Sequence, residues 1–226
     1  MGKLVLIPTP IGNLKDITLR ALEVLKACDM IFAEDTRVTL KLLSHYGIQK
    51  TLRPFHQQNE HRILDQSIET IRQNEMTCLV SDAGMPGISD PGYLLVRKCI
   101  EHQIEVECLP GASAILPALV LSGLPSDRFT FEGFLPHKKG RQKKLTALAE
   151  EERTMVFYES PHRILKTLSQ ISEFISGDRR AAAVREISKL HEEVVRGTID
   201  ELIVHFEEHA PRGEFVLIVE GANSRN

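Results

Sequence analysis

Ser81-Asp82-Ala83-Gly84-Met85-Pro86-Gly87-Ile88-Ser89-Asp90-Pro91-Gly92 packs three glycines, two prolines and two aspartates into twelve residues. The apolar run Thr77-Cys78-Leu79-Val80 precedes it and reads as a buried strand. Tyr93 to Cys99 follows with apolar spacing that suits a helix, and Pro91 and Gly92 sit near its first turn. Glycine allows positive φ and close approach of backbone to a ligand, and proline stiffens a loop without needing an N–H partner. A stiff loop at the carboxyl end of an α/β strand is where small ligands usually bind. The bland alternative is an ornate strand-to-helix turn.

On either side of this loop the chain alternates strand and helix. Leu4 to Ile7 is a continuous apolar run, as in a strand covered on both faces, and Pro8 to Asn13 closes it. Met30 to Ala33 is a second strand and ends in Glu34-Asp35-Thr36-Arg37. Leu52 to Phe55 reads as a short strand, and Ile104 to Leu109 alternates as a strand does before Pro110-Gly111-Ala112-Ser113-Ala114 turns into an apolar helix around Leu116 to Leu121. Such alternation predicts an α/β domain with a mainly parallel sheet. Ser122 to Asp127 punctuates the chain, which places a domain boundary near residue 120: residues 1–120 form one α/β domain and 121–226 a second. In the second half, strands adjacent without intervening helices predict a mixed sheet.

Composition narrows the function classes. The chain has 226 residues, 42% of them hydrophobic, enough for a real core. Net charge is −3, so nucleic-acid contact requires a local basic patch. His137 to Lys144 is the one dense basic run and marks Lys138, Lys139, Arg141, Lys143 and Lys144 for RNA-backbone contact. The alternative for that run is a solvated helix start. The four cysteines lack CxxC spacing, which argues against zinc and for a reducing compartment; Cys78 and Cys108 are expected to be buried thiols. No metal is expected. The histidines, His56 among them, show no metal spacing and are expected at the surface or capping helices. The apolar run after Met1 is too short for a signal peptide or membrane span, so a cytoplasmic protein off the membrane is the expectation. Neither GxxxxGK[ST] nor GxGxxG is present, which disfavours a P-loop or an ordinary dinucleotide site.

Pro8 to Leu14, Glu34 to Arg37, Asn59-Glu60, Ser81 to Gly92, Tyr158-Glu159-Ser160 and Arg185-Glu186 occur in that order along nearly the whole chain. Together these motifs resemble the tetrapyrrole-methylase-like (class III) S-adenosylmethionine-dependent methyltransferases, and within them the branch that modifies small-subunit ribosomal RNA. The resemblance implies two α/β domains with the cofactor in the cleft between them, a homodimer, and methylation of the ribose 2′-hydroxyl of a decoding-region cytidine in 16S rRNA. It implies that S-adenosylmethionine meets Asp82, Ala83, Gly84, Met85, Pro86 and Ile88, then Pro110, Ser113 and Ala114, with Tyr158, Glu159 and Arg185 toward the adenosine and Pro10 and Gly12 on the cleft floor. Met85 departs from the family, which usually has threonine there. The chain also ends soon after Gly221, where relatives often continue with a helical extension.

An activated sulfonium methyl needs alignment and exclusion of water, and a ribose hydroxyl needs a proton acceptor within reach. The candidates for that acceptor are Glu186, Lys189, Glu34 and Asp35; Lys189 would need a depressed pKa. Glu34 to Arg37 reads equally as a helix cap with self-paired charges, and Arg185-Glu186 as an ion pair between strands. Arg37 and Arg163 are candidates to hold RNA phosphate, or helix-face cations. Two other functions keep the same fold: carbon methylation of a tetrapyrrole, and a non-catalytic ribosome-binding module.

Overall fold

The computed structural model describes residues 2–222, which divide into two compact units after Ser113. In the first, five parallel strands, β1 (Lys3–Leu6), β2 (Met30–Ala33), β3 (Thr51–Pro54), β4 (Met76–Val80) and β5 (Glu105–Cys108), lie in the order β3-β2-β4-β1-β5. Side chains alternate across this sheet as the pleat requires. Val5, Ile7, Ile31, Ala33, Cys78 and Val80 face helices α1 (Leu19–Ala27) and α2 (Thr36–His45). Leu4, Leu6, Phe32 and Leu79 face α3 (Glu60–Gln73) and α4 (Tyr93–Glu101). Burial on both faces is why strands β1, β2 and β4 read as unbroken apolar runs.

The order of strands creates a switch point. β1 leads through α1 toward β2, and its neighbour β4 leads through α4 toward β5, on the opposite side. The helices that follow β1 and β4 therefore lie on opposite faces, and in open α/β sheets ligands bind at such a switch point.

The second unit holds β6 (Phe129–Phe134), β7 (Thr154–Glu159), β8 (Arg180–Arg185), β9 (Glu193–Thr198) and β10 (Phe215–Val219), in the order β6-β7-β10-β8-β9. Only β6 and β7 pair in parallel, so the expected mixed sheet is present. Helices α6 (Arg141–Leu148), α7 (Ile164–Phe174) and α8 (Ile199–Glu208) cover one face, around Phe157, Leu168, Leu202 and Leu217. Helix α5 (Ile115–Ser122) covers the other, placing Ala118 and Leu119 against Val156, Val216 and Ile218. The division thus falls before α5 rather than near residue 120, because α5 buries its apolar face on the second sheet. The boundary signal at Ser122 to Asp127 marks the end of that helix.

Candidate active site

In the first unit the loop after β4 is held by its neighbours. Thr9 and Gly84 exchange backbone hydrogen bonds, each 2.9 Å, and Thr9 Oγ1 donates to the Ser81 carbonyl at 3.0 Å. Gly84 has φ +82°, which an L side chain rarely adopts. The loop after β5 closes on the same point: a Cβ on Gly111 would lie 2.8 Å from the Pro8 Cβ, so only glycine permits this approach. Cys108 Sγ contacts Met85 Sδ at 3.6 Å. Cys108 is exposed rather than buried, because β5 is an edge strand and its last residue reaches the loop rim. The expected burial holds for Cys78 only. Pro10, Gly12, Pro86, Ile88, Pro110 and Ser113 belong to these same three loops.

Charge enters from β2. Asp82 Oδ1 accepts the Asp35 N–H at 2.9 Å, and Glu34 Oε2 accepts the Asp82 N–H at 3.2 Å. Asp35 also caps α2, accepting the Arg37 N–H at 2.8 Å, and its carboxylate binds the exposed Arg37 guanidinium. The two readings of Glu34 to Arg37 therefore divide by residue: Asp35 and Arg37 form the self-paired cap, and Glu34 turns to the β4 loop. Hydrogen bonds from Arg37 hold the Asp35 carboxyl well below its usual range. Burial pushes Glu34 and Asp82 upward, although each accepts a backbone N–H.

Asp90, in the same loop, is pushed up to about 7, first by burial and then by the Glu34 and Asp82 carboxylates, against a hydrogen bond with Ser81. Sequence reading gave Asp90 no role, since what singles it out is burial among other acids on a different strand. His56, after β3, was missed likewise: among the described residues its buried Nδ1 has no hydrogen-bond partner. Glu60 anchors the far end of the loop, buried and accepting the Gly92 N–H at 3.0 Å.

In the second unit, β6, β7 and β8 run the same way, so residues 135–140, 160–163 and 186–192 leave one edge of the sheet. Arg185 pairs with Glu193 at 2.5 Å, as the ion-pair reading expected. Glu186 and Ser188 hold positive φ values of 51° and 67°, backbone that costs energy for non-glycine residues. Lys189 Nζ lies 2.9 Å from Glu186 Oε1 and 2.8 Å from Glu214 Oε2. Burial works to lower the Lys189 pKa, but its two carboxylate partners outweigh burial and the net shift is upward. The depressed pKa that a basic lysine needs is therefore not found. Glu186 shifts downward, chiefly through its hydrogen bond from Lys189. Of the three carboxylate candidates, Glu34 alone has its pKa raised, and Lys189 is held more firmly in its protonated form.

Two further candidates are engaged within their own unit. Glu159 is 2% exposed and binds Thr167, the Ser160 N–H and Arg163 within its own unit. Arg141 is 5% exposed and is spent on protein partners, not displayed to solvent. Lys144 pairs with Glu132, whereas Lys138, Lys139 and Lys143 are exposed. Tyr158 joins Phe131 and Phe134, with ring centroids 5.0 and 5.6 Å away, in a cluster where Phe134 is exposed.

A sulfonium methyl donor fits these residues. Glu34, Asp82 and Asp90, gathered beside one loop of the first unit, would oppose such a positive charge. Among the described residues no helix is long and apolar enough to cross a membrane, and no cluster of three or more His, Cys, Asp or Glu side chains is placed to hold a metal ion.

The family described as Tetrapyrrole (Corrin/Porphyrin) Methylases matches residues 3–203. A Thermotoga maritima protein named Ribosomal RNA small subunit methyltransferase I is 48% identical over 221 residues, covering 98% of this chain and 99% of that protein. Proteins of the same name from Synechocystis sp. and Bacillus subtilis are 48% and 47% identical, and the alignments cover 80% and 77% of their lengths. Among solved structures, the methyltransferase CobJ superposes with a TM-score of 0.74 at 18% identity, covering 100% of this chain and 97% of that one. A diphthine synthase superposes with a TM-score of 0.73 at 13% identity, covering 96% of this chain and 89% of its own. At these identities the superpositions establish the fold.

Proposed function

This chain belongs to the Tetrapyrrole (Corrin/Porphyrin) Methylases, and from that premise we propose that it uses S-adenosylmethionine to methylate the ribose 2′-hydroxyl of a decoding-region cytidine in 16S rRNA. The observation that carries this reading is 48% identity to a small-subunit rRNA methyltransferase across 98% of the chain. The loop geometry supports it. Three loops knotted at Thr9, Gly84 and Gly111, with three carboxylates beside them, suit a small cationic cofactor and leave no phosphate-binding glycine loop to explain. Tetrapyrrole carbon methylation draws support from the family description and the shared fold, not from the relatives that match at 46–49% identity.

Bound S-adenosylmethionine supplies an electrophilic methyl on sulfur. What the chain supplies is placement and a proton acceptor. Asp82, Ala83, Gly84, Met85 and Pro86 would hold the methionine end, with Ser113 and Ala114 closing on it. Met85 offers a thioether where a hydroxyl is common in the family, so the backbone of the loop and Asp82 carry the polar recognition. Glu34 and Asp90 are the groups suited to accept the hydroxyl proton. Their pKa values are raised by burial, and that of Asp90 lies near neutrality. Asp35, Glu186 and Lys189 serve as ion-paired supports. The protein works as a homodimer in the cytoplasm on this reading, and Lys138, Lys139 and Lys143 meet the RNA backbone.

The test is transfer of a labelled methyl group to small ribosomal subunits from cells lacking this protein. Label is expected in an alkali-resistant dinucleotide, since a 2′-O-methyl blocks hydrolysis of the adjoining phosphodiester. Label released as a base-modified nucleoside, or no label despite cofactor binding, overturns the reading.

A further inference from the structure

The second unit contains a buried polar network that none of the chemistry above uses. Glu159, at the end of β7, is its centre. Its Oε2 accepts from Thr167 Oγ1 at 2.6 Å, and Thr167 Oγ1 in turn accepts from Arg141 Nη2 at 2.7 Å. Arg141 also donates to Gln170 Oε1 at 2.6 Å and to the Pro136 carbonyl at 3.2 Å. On its other side, Glu159 Oε1 faces Arg163 Nε at 3.5 Å, and Arg163 donates to the Leu135 carbonyl at 2.8 Å and contacts His137 Nε2 at 3.3 Å. Two guanidinium groups that share one buried carboxylate thus grip three consecutive residues, Leu135, Pro136 and His137.

Those three residues lead into Lys138 and Lys139, which are exposed. A buried arginine beside a second, half-buried one is costly to desolvate, and a loop needing only to connect β6 to α6 could do without them. What such a network secures is one fixed backbone path, because the planar fork of arginine bonds carbonyls with defined geometry. We infer that Arg141, Thr167 and Glu159 are positioning residues that hold the 135–140 segment in the pose in which Lys138 and Lys139 meet RNA phosphate. This rests on the RNA-binding part of the proposed function.

The test uses the full chain and a labelled single-stranded oligoribonucleotide, with affinity measured as a function of salt. Lys138→Gln with Lys139→Gln should make the slope of log K against log salt shallower by about 0.7 for each phosphate no longer neutralised. Arg141→Met should reproduce that change although Arg141 is buried, and adding it to the two lysine substitutions should change nothing more. Arg141→Lys should not rescue, since an ammonium cannot make the fork. Should Arg141→Met fold poorly, Thr167→Val cuts the same link and is expected to act in the same direction. The inference is overturned if the lysine substitutions leave the slope alone, if the arginine and lysine effects add, or if a folded Arg141→Met or Thr167→Val variant binds as the wild type does. Methyl transfer by the wild type, run alongside, separates the two failures. RNA binding with the predicted coupling but no ribose methylation sinks the functional reading and leaves this inference standing.

Discussion

The two units end their parallel strands in opposite electrostatic states. In the first, Glu34, Asp82 and Asp90 gather beside the β4 loop, and all three are pushed toward the neutral form. In the second, Glu159 is buried and Glu186 half-buried, and each is matched by cationic side chains from its own unit. Partial burial of a carboxylate without a cationic partner costs stability and is tolerated where something else is to be bound; burial with such a partner builds a platform. The first edge is accordingly read as the site that receives a cation, and the second as the frame that presents surface groups. Substitutions that treat the two edges alike should break this contrast if it is wrong.

The largest effect should come from the paired edge. Glu159→Ala leaves Arg163, Thr167 and, through it, Arg141 without their shared acceptor. Removing one partner from a buried ion pair typically costs about 3–5 kcal/mol. Chemical denaturation should show a loss of that order, and a loss near that of a surface pair would mean that the network is solvated. Next comes Asp82→Ala at the open edge. It should weaken binding of S-adenosylhomocysteine by roughly 10–100-fold, the equivalent of about 1.4–3 kcal/mol, and lower stability by about 1 kcal/mol or less. Calorimetry showing unchanged affinity would remove Asp82 from the cofactor site.

A smaller effect is expected from Lys189→Met. Its partners are partly solvent-facing, Glu214 strongly so, and such pairs contribute about 0–1 kcal/mol. The informative readout is pH. The Glu186 pKa is lowered in the folded state, so its contribution is present above the ordinary 4.5 and is lost as pH falls through the lower folded value. The substitution should flatten that acid limb. An unchanged limb would mean that Lys189 does not set the charge state of Glu186.

Much of the fold could be read directly from the chain. Leu4 to Ile7, Met30 to Ala33 and Thr77 to Val80 are apolar without alternation because helices cover both faces of their sheet. The backbone of the loop after β4 was equally legible, since Gly84 and the prolines around it report geometry locally. The domain boundary was less so: Ser122 to Asp127 signals a turn, but which sheet α5 covers depends on packing with Val156 and Val216, far along the chain. Charged residues were the least legible. Arg141 looks like Lys139 and Lys143 in sequence, and only its bonds to Thr167 and Gln170 distinguish it. Asp90 becomes unusual through burial in the folded loop and then through Glu34, which follows another strand.

Asp90 supplies the finest test of the contrast, because it asks whether the open edge is strained by its own charge. Its pKa rises from an ordinary 3.8 to about 7 on folding. Between those values the unfolded chain releases the proton that the folded chain keeps, so stability falls as pH climbs from about 4 to about 7 and is level above. Asp90→Asn keeps an acceptor for Ser81 and cannot ionise. It should match the wild type near pH 4 and exceed it at pH 8, by about 1–3 kcal/mol once partial exposure is allowed for. A paired carboxylate such as Glu186 gives the reverse slope, so equilibrium unfolding at two pH values distinguishes the two edges by sign alone. If the variant and the wild type differ equally at both pH values, the Asp90 proton is not held by the fold. Glu34 would then be left as the proton acceptor for the ribose hydroxyl.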